Sequence, residues 1–401
     1  MTATQDAPQT TRRGPTGGFV LALGAVVVMM TGASAPSPFY PVLQQELGFS
    51  SATLTGIFAV YAGALLLTLL VTGSLSDHAG RRPVMSTGFA LLAASMLVFW
   101  HADSVTLLVA ARVVQGFATG LLMSSLSAAV VDLEPPRRPG AAATFNSVTP
   151  LAGLALGALA GGIALDHASA PRPAVFGTLT GAYLIVAVAL WMLPETSPRH
   201  EGLLRSLTPR VGVPEAARGP FLRSAPALFA GWATGGLYLS LGAPIVAQEL
   251  GGSRHVEQGL VVTTLTGVGA LACYLARHES ARRVTIAGTT ALAIGTLLTL
   301  AALAVGSLWA FIAAAVVSGA GFGTSFLGIM RSITPVVGPH ERAELFASVF
   351  VVSYLAFGVP AVAAGIAAPH IGLATTTYVY GGLVIVLSAA AALLRRFRST
   401  D

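Results

Sequence analysis

Residues 73–85 read Gly-Ser-Leu-Ser-Asp-His-Ala-Gly-Arg-Arg-Pro-Val-Met, with a long apolar run on either side. A polar, charged stretch of about ten residues between two runs of membrane-crossing length is a turn joining two membrane helices. Gly73 and Gly80 allow a tight turn and close helix approach. Asp77 is an anion placed where helix N-termini are positive. Pro83 suits the first turn of the helix that follows.

Outward from this turn the whole chain has the same character. Of 401 residues 54% are hydrophobic and 9% charged, against roughly 25% charged in a soluble domain. Lipid is therefore the solvent for most of the surface. A helix crosses the hydrocarbon in roughly 20 residues, and the apolar runs give twelve such spans. They lie at about 17–43, 52–74, 83–101, 105–131, 140–165, 173–193, 222–247, 257–276, 284–304, 307–331, 344–367 and 373–394. The first is too long for a signal-peptide core and is expected to be retained. The fold class expected is an all-α polytopic membrane protein of twelve transmembrane helices.

All 22 basic residues are Arg, and their placement sets an orientation. With the N-terminus inside, Arg12, Arg13, Arg81, Arg82, Arg137, Arg138, Arg199, Arg205, Arg210, Arg218, Arg223, Arg277, Arg282, Arg283, Arg331, Arg342, Arg395, Arg396 and Arg398 face the cytoplasm. Only Arg172 and Arg254 face outward, and Arg112 alone lies inside a span. An even number of spans with both termini cytoplasmic follows. This bias also accounts for the basic charge without nucleic acid as a partner. The absence of Lys excludes a phosphate-binding P-loop, and with it an ATP motor of that type, and Schiff-base chemistry. Cys273 is single and can form no intrachain disulfide or metal cluster. No cofactor or metal site is expected, and no nucleophile elbow or HExxH pair suggests an enzyme.

The sequence also repeats. Displaced by 205 residues, Gly116-Phe117-x-Thr119 falls on Gly321-Phe322-x-Thr324, and Leu122, Arg137, Phe145 and Gly153 fall on Leu327, Arg342, Phe350 and Gly358. The Pro-rich polar stretch 195–221 lies between the copies. The domains expected are 1–194 and 222–401, two pseudo-symmetric six-helix bundles, with 195–221 as a cytoplasmic linker.

Gly73, Leu75, Asp77, Gly80, Arg81 and Arg82 fall on the pattern G-x-L-x-D-x-x-G-R-[RK], with His78 where Arg is usual. This resembles the loop signature between the second and third helices of the major facilitator superfamily. The resemblance implies that Asp77, Arg81 and Arg82 form a cytoplasmic latch across the two halves that favours the outward-facing state. The run Leu108-x-x-x-Arg112-x-x-Gln115-Gly116 resembles the family's fourth-helix motif, whose Arg is linked to proton transfer in proton-coupled members. Gly153-x-x-x-Gly157-Ala158-x-x-Gly161-Gly162 resembles its antiporter motif, with Ala158 in place of Pro. The resemblance implies a proton-coupled exporter of a small amphiphilic drug or metabolite, a monomer in the bacterial cytoplasmic membrane.

The residues themselves allow plainer readings. Arg112, Gln115 and Thr119 form one polar stripe on a helix face, which serves a cavity or bonds the backbone of a neighbouring helix. Gly116 and Gly120, like Gly153, Gly157 and Gly161, are small-residue faces suited to helix packing. Three prolines between Ser34 and Tyr40-Pro41 interrupt the first span, making Ser34 and Tyr40 candidates for a cavity wall and gate. Asn146 in the fifth span and Trp232 and Tyr238 in the seventh complete the cavity candidates. No Asp or Glu sits mid-span, so coupling would either use Glu46, Asp132 or Glu344 at an edge or work in another way. The interior suits a neutral or anionic substrate better than a permanent cation. The alternative is an uptake symporter or uniporter for a small nutrient such as a sugar or organic anion.

Overall fold

The computed structural model describes residues 16–397 apart from 210, 339 and 340. Arg12, Arg13, Arg210 and Arg398, used above for orientation, lie outside these residues. The long helices are α1 (Thr16–Leu47), α2 (Ser51–Thr72), α3 (Arg81–Trp100), α4 (Val105–Asp132), α5 (Ala141–His167) and α6 (Pro173–Met192). The second six are α7 (Glu215–Glu249), α8 (His255–His278), α9 (Ala281–Ala304), α10 (Leu308–Val336), α11 (Arg342–Ile371) and α12 (Leu373–Leu393).

Several starts are written in the local sequence. Ser50, Ser104, Ser280 and Ser307 accept the backbone N–H of Thr53, Leu107, Arg283 and Ala310, so the helices after them begin with a satisfied donor. The prolines of α1 do not open the chain: a single tight turn at Ser37–Phe39 carries the helix on to Tyr40–Leu47.

Eleven of the described helices are long and apolar enough to cross a membrane by that measure alone. The remaining one, α7, is the longest at 35 residues but is diluted by Gly, Trp, Tyr and Ser. Every residue from Ala233 to Val246 is buried, so protein rather than lipid surrounds it. It also begins at Glu215, seven residues before the expected edge at 222. Pro220, read as linker, lies within the helix: a proline near the first turn removes one backbone bond without ending the helix.

The packing repeats as the sequence does. In the first six helices α1 packs on α5, α2 on α4, α3 on α4 and α3 on α6. Six helices further on, α7 packs on α11, α8 on α10, α9 on α10 and α9 on α12. The two bundles meet along α5 with α8 and α2 with α11, which exchange under the same operation. The described segments that join α2 to α3, α4 to α5, α6 to α7 and α10 to α11 share one face, called the Arg-rich face below. The opposite, Arg-poor face carries the loops at 48–50, 101–104, 168–172 and 250–254.

Candidate functional site

A cavity of about 250 Å³ lies between the two bundles. Its wall holds eight aromatic side chains: Phe58, Tyr61, Trp232, Phe322, Phe326, Phe350, Tyr354 and Phe357. Trp232 is the hub, with ring centroids 5.0 Å from Tyr354, 5.8 Å from Phe326 and 6.2 Å from Phe357. Phe58 reaches Phe357 across the bundle interface at 5.5 Å. The polar groups on the wall are small, among them Ser127, Asn146, Ser147 and Ser325, and no wall residue is charged. Ser127, Asn146, Ala227, Ile329 and Phe350 place the cavity towards the Arg-rich face. A separate shallow recess on the Arg-poor face is bounded by Phe39, Leu43, Glu46 and Arg172.

Of the residues expected to line the cavity, Asn146 and Trp232 do. Asn146 also donates to the Ser127 carbonyl at 3.3 Å, tying α5 to α4. Arg112, Gln115, Thr119, Ser34, Tyr40 and Tyr238 do not reach the wall. They are buried within their own bundles, because helix rotation turns their polar stripe towards a neighbouring helix. Arg112 is 0% exposed. Its Nε donates to the Tyr40 hydroxyl at 2.6 Å, and its Nη1 to Gln115 Oε1 at 2.6 Å and the Ala33 carbonyl at 3.3 Å. Gln115 donates to the Gly32 carbonyl at 2.8 Å, and Thr119 to the Gln115 carbonyl at 2.7 Å. Arg112 and Gln115 are thus spent on α1 near its prolines, and Thr119 on its own helix. The Arg112 guanidinium lies 5.3 Å from the Phe58 ring centroid and 5.2 Å from that of Tyr61. Those two rings stand on the cavity wall, so the cation sits directly behind them.

Ser34 donates to the Leu154 carbonyl at 2.7 Å and joins α1 to α5. Tyr238 shares a hydrogen bond with Thr299 at 2.8 Å inside the second bundle. The glycine faces are packing faces. Gly116 and Gly120 lie against Tyr61 and Leu65 of α2, and Gly153, Gly157 and Gly161 against Val27, Thr31 and Ala35 of α1.

The turn at 73–80 is a charged cluster. Arg81 donates from Nη1 to Asp77 at 2.8 Å and from Nε to Asp132 at the end of α4 at 2.6 Å. The backbone N–H groups of Arg81 and Arg82, at the start of α3, donate to the two oxygens of Glu195. Gly80 holds φ at +102°, where a side chain is strained. Burial alone would raise the Glu195 pKa. The N–H groups of Ser197, Arg81 and Arg82, with Arg199 nearby, outweigh it and hold the carboxyl below its usual range. His200 N–H donates to the Asp77 carbonyl, and Ser74 to the Ser206 carbonyl. In the conformation described, Asp77 and Arg81 pair within the first bundle and with the segment that follows it. Gly73 keeps right-handed helical angles.

The wall residues Phe58, Tyr61, Met123, Tyr354 and Phe357 escaped the sequence reading. They stand in uniformly apolar runs with nothing local to mark the inward side. The repeat gave two signals, the Phe117–Phe322 and Phe145–Phe350 correspondences, of which Phe322 and Phe350 are on the wall.

Two six-helix bundles around a central cavity at their interface define a membrane carrier. A profile described as the Major Facilitator Superfamily matches residues 22–278, and the chain belongs to that superfamily of transporters. Multidrug resistance protein MdtL of Klebsiella pneumoniae is 31% identical over 163 residues, 39% of this chain and 40% of that protein. The MdtL protein of a Shewanella species is 28% identical over 236 residues, 58% of each. These matches span about half the length of those relatives. A solved bacterial homologue of the human lysosomal transporter Spinster, in an inward-facing and occupied conformation, superposes with a TM-score of 0.71 at 13% identity. That superposition covers 96% of this chain and 98% of the other.

Proposed function

We propose that the protein exports small amphiphilic compounds, with aromatic and uncharged ones preferred, by alternating access driven by protons. The observation that carries this is the ring-lined cavity between the bundles, which has no charge on its wall. An apolar pocket with a few small polar groups holds an aromatic amphiphile by area and ring contact. A wall without a carboxylate offers a permanent cation ring faces but no opposite charge. The MdtL relatives, named for multidrug resistance, support export of this kind. In this reading 1–194 and 222–401 rock about the cavity, 195–221 links them, and a single copy suffices. The Arg-rich face is cytoplasmic in a bacterial inner membrane, as the placement of Arg supports.

The test is accumulation of fluorescent amphiphiles and antibiotics by efflux-deficient bacteria expressing the chain, with and without a protonophore. Exclusion of uncharged aromatic compounds, abolished by the protonophore, is the expected result. Net accumulation of a nutrient with no compound excluded would replace export by uptake.

A further inference from the structure

On the Arg-poor face one carboxylate ties the first bundle to the second. Asp166 stands at the end of α5, and His255 and Val256 begin α8. Asp166 Oδ1 accepts the His255 backbone N–H at 2.9 Å and meets its imidazole Nδ1 at 2.8 Å. Oδ2 accepts the Val256 N–H at 2.9 Å. The first N–H groups of a helix have no partner inside it and carry the positive end of its dipole. Here they are satisfied by a residue of the other bundle. The Asp166 side chain is 13% exposed. A Cβ at Gly162, one turn earlier, would stand 2.7 Å from the His255 carbonyl, so the two backbones touch. None of the other four salt bridges among the described residues joins the bundles.

The symmetry-related contact is built differently. At the start of α2, beside α11, the first turn is capped by Ser50 from its own chain neighbourhood. Gly365 lies against Ser51 and Thr55 by packing alone. Parting α2 from α11 would leave α2 capped. Parting α5 from α8 would strip the first N–H groups of α8 of this acceptor and hand both partners to water.

We propose that Asp166 and the first turn of α8 form the gate on the Arg-poor face, which holds that face shut in the conformation described and releases when the cavity opens there. This rests on the alternating-access reading above.

The test reads accessibility, so it needs no known substrate. In a Cys273→Ser background, Ser147→Cys puts one thiol on the cavity wall. A membrane-impermeant maleimide is applied to intact cells and to everted vesicles. With Asp166→Ala added, labelling from the Arg-poor side is expected to rise about tenfold or more, as loss of hydrogen bonds to a charged acceptor implies. Asp166→Asn keeps the shape and one acceptor oxygen and gives a smaller rise. It carries the test if the alanine variant fails to reach the membrane. Unchanged labelling from that side in both variants, with parental labelling from the Arg-rich side, overturns the gate. A rise in labelling in cells that exclude no compound upholds the gate and counts against export instead.

Discussion

Arg112 is a guanidinium that water does not reach, and no carboxylate answers it. Taking such an ion out of water costs several kcal/mol even after relaxation. Here the cost is offset by the Tyr40 hydroxyl, the Gln115 amide oxygen, the Ala33 carbonyl and the faces of Tyr40, Phe58, Tyr61 and Phe99. Ring faces contribute about 2 kcal/mol or more to a desolvated cation. Arg112 therefore fastens α4 to α1 and props two cavity rings from behind. Arg112→Ala is expected to cost about 3 kcal/mol and to lower both the thermal midpoint in detergent and transport. Trp232, on the wall itself, should separate the two effects. Trp232→Ala is expected to weaken exclusion of aromatic compounds about tenfold, as loss of stacking and buried area implies, while leaving the midpoint close to the parent's. A midpoint that falls as far as that of Arg112→Ala would make Trp232 a packing residue.

Among elements, the segment after α6 shows how a linker acquires a structural task. Glu195 holds the first two N–H groups of α3, and its neighbours reach Asp77 and Ser74. Its pKa is lowered in the folded protein. Stability from this clasp is then fully present above the ordinary glutamate value of about 4.3 and is lost as the pH falls through the lower folded value. Glu195→Gln is expected to flatten that part of an acid titration of the thermal midpoint. Parallel curves for variant and parent would remove Glu195 from the acid response. The start of α7 belongs to the same scale. A stretch rich in Pro reads as linker because each proline weakens a helix. Burial of one face against the second bundle, through Ala217 and Phe221, extends α7 to Glu215 all the same.

For the whole molecule, the two charged devices lie at opposite faces. The Asp77–Arg81–Asp132 cluster is confined to the first bundle on the Arg-rich side, towards which the cavity lies, and Asp166 crosses between the bundles on the Arg-poor side. Asp77→Asn is expected to abolish exclusion of compounds while the protein still inserts. Its thiol at Ser147→Cys should label as the parent does from the Arg-rich side. Parental transport by Asp77→Asn would show that Arg81 is held well enough by Asp132 alone.

Composition and hydropathy by themselves determined that this chain is a bundle of twelve membrane helices, because a run of apolar residues long enough to cross lipid has few other stable fates. The placement of Arg pointed to an orientation, the register of 205 residues to a doubled architecture, and the turn at 73–85 to the superfamily. Tertiary structure alone decided which side of each helix faces the cavity. In a soluble helix water separates the inward face from the outward one, but lipid accepts the same residues that pack against protein. Phe58, Tyr61 and Phe357 look like any other apolar residues until their helices are rotated into place. Arg112, Gln115 and Thr119 look like a cavity stripe until α1 is laid over them. Asn146 and Trp232 were legible because a polar or bulky aromatic residue deep in a span has few places to go. Nothing in the sequence sets Asp166 apart, and only the meeting of α5 with α8 gives it donors.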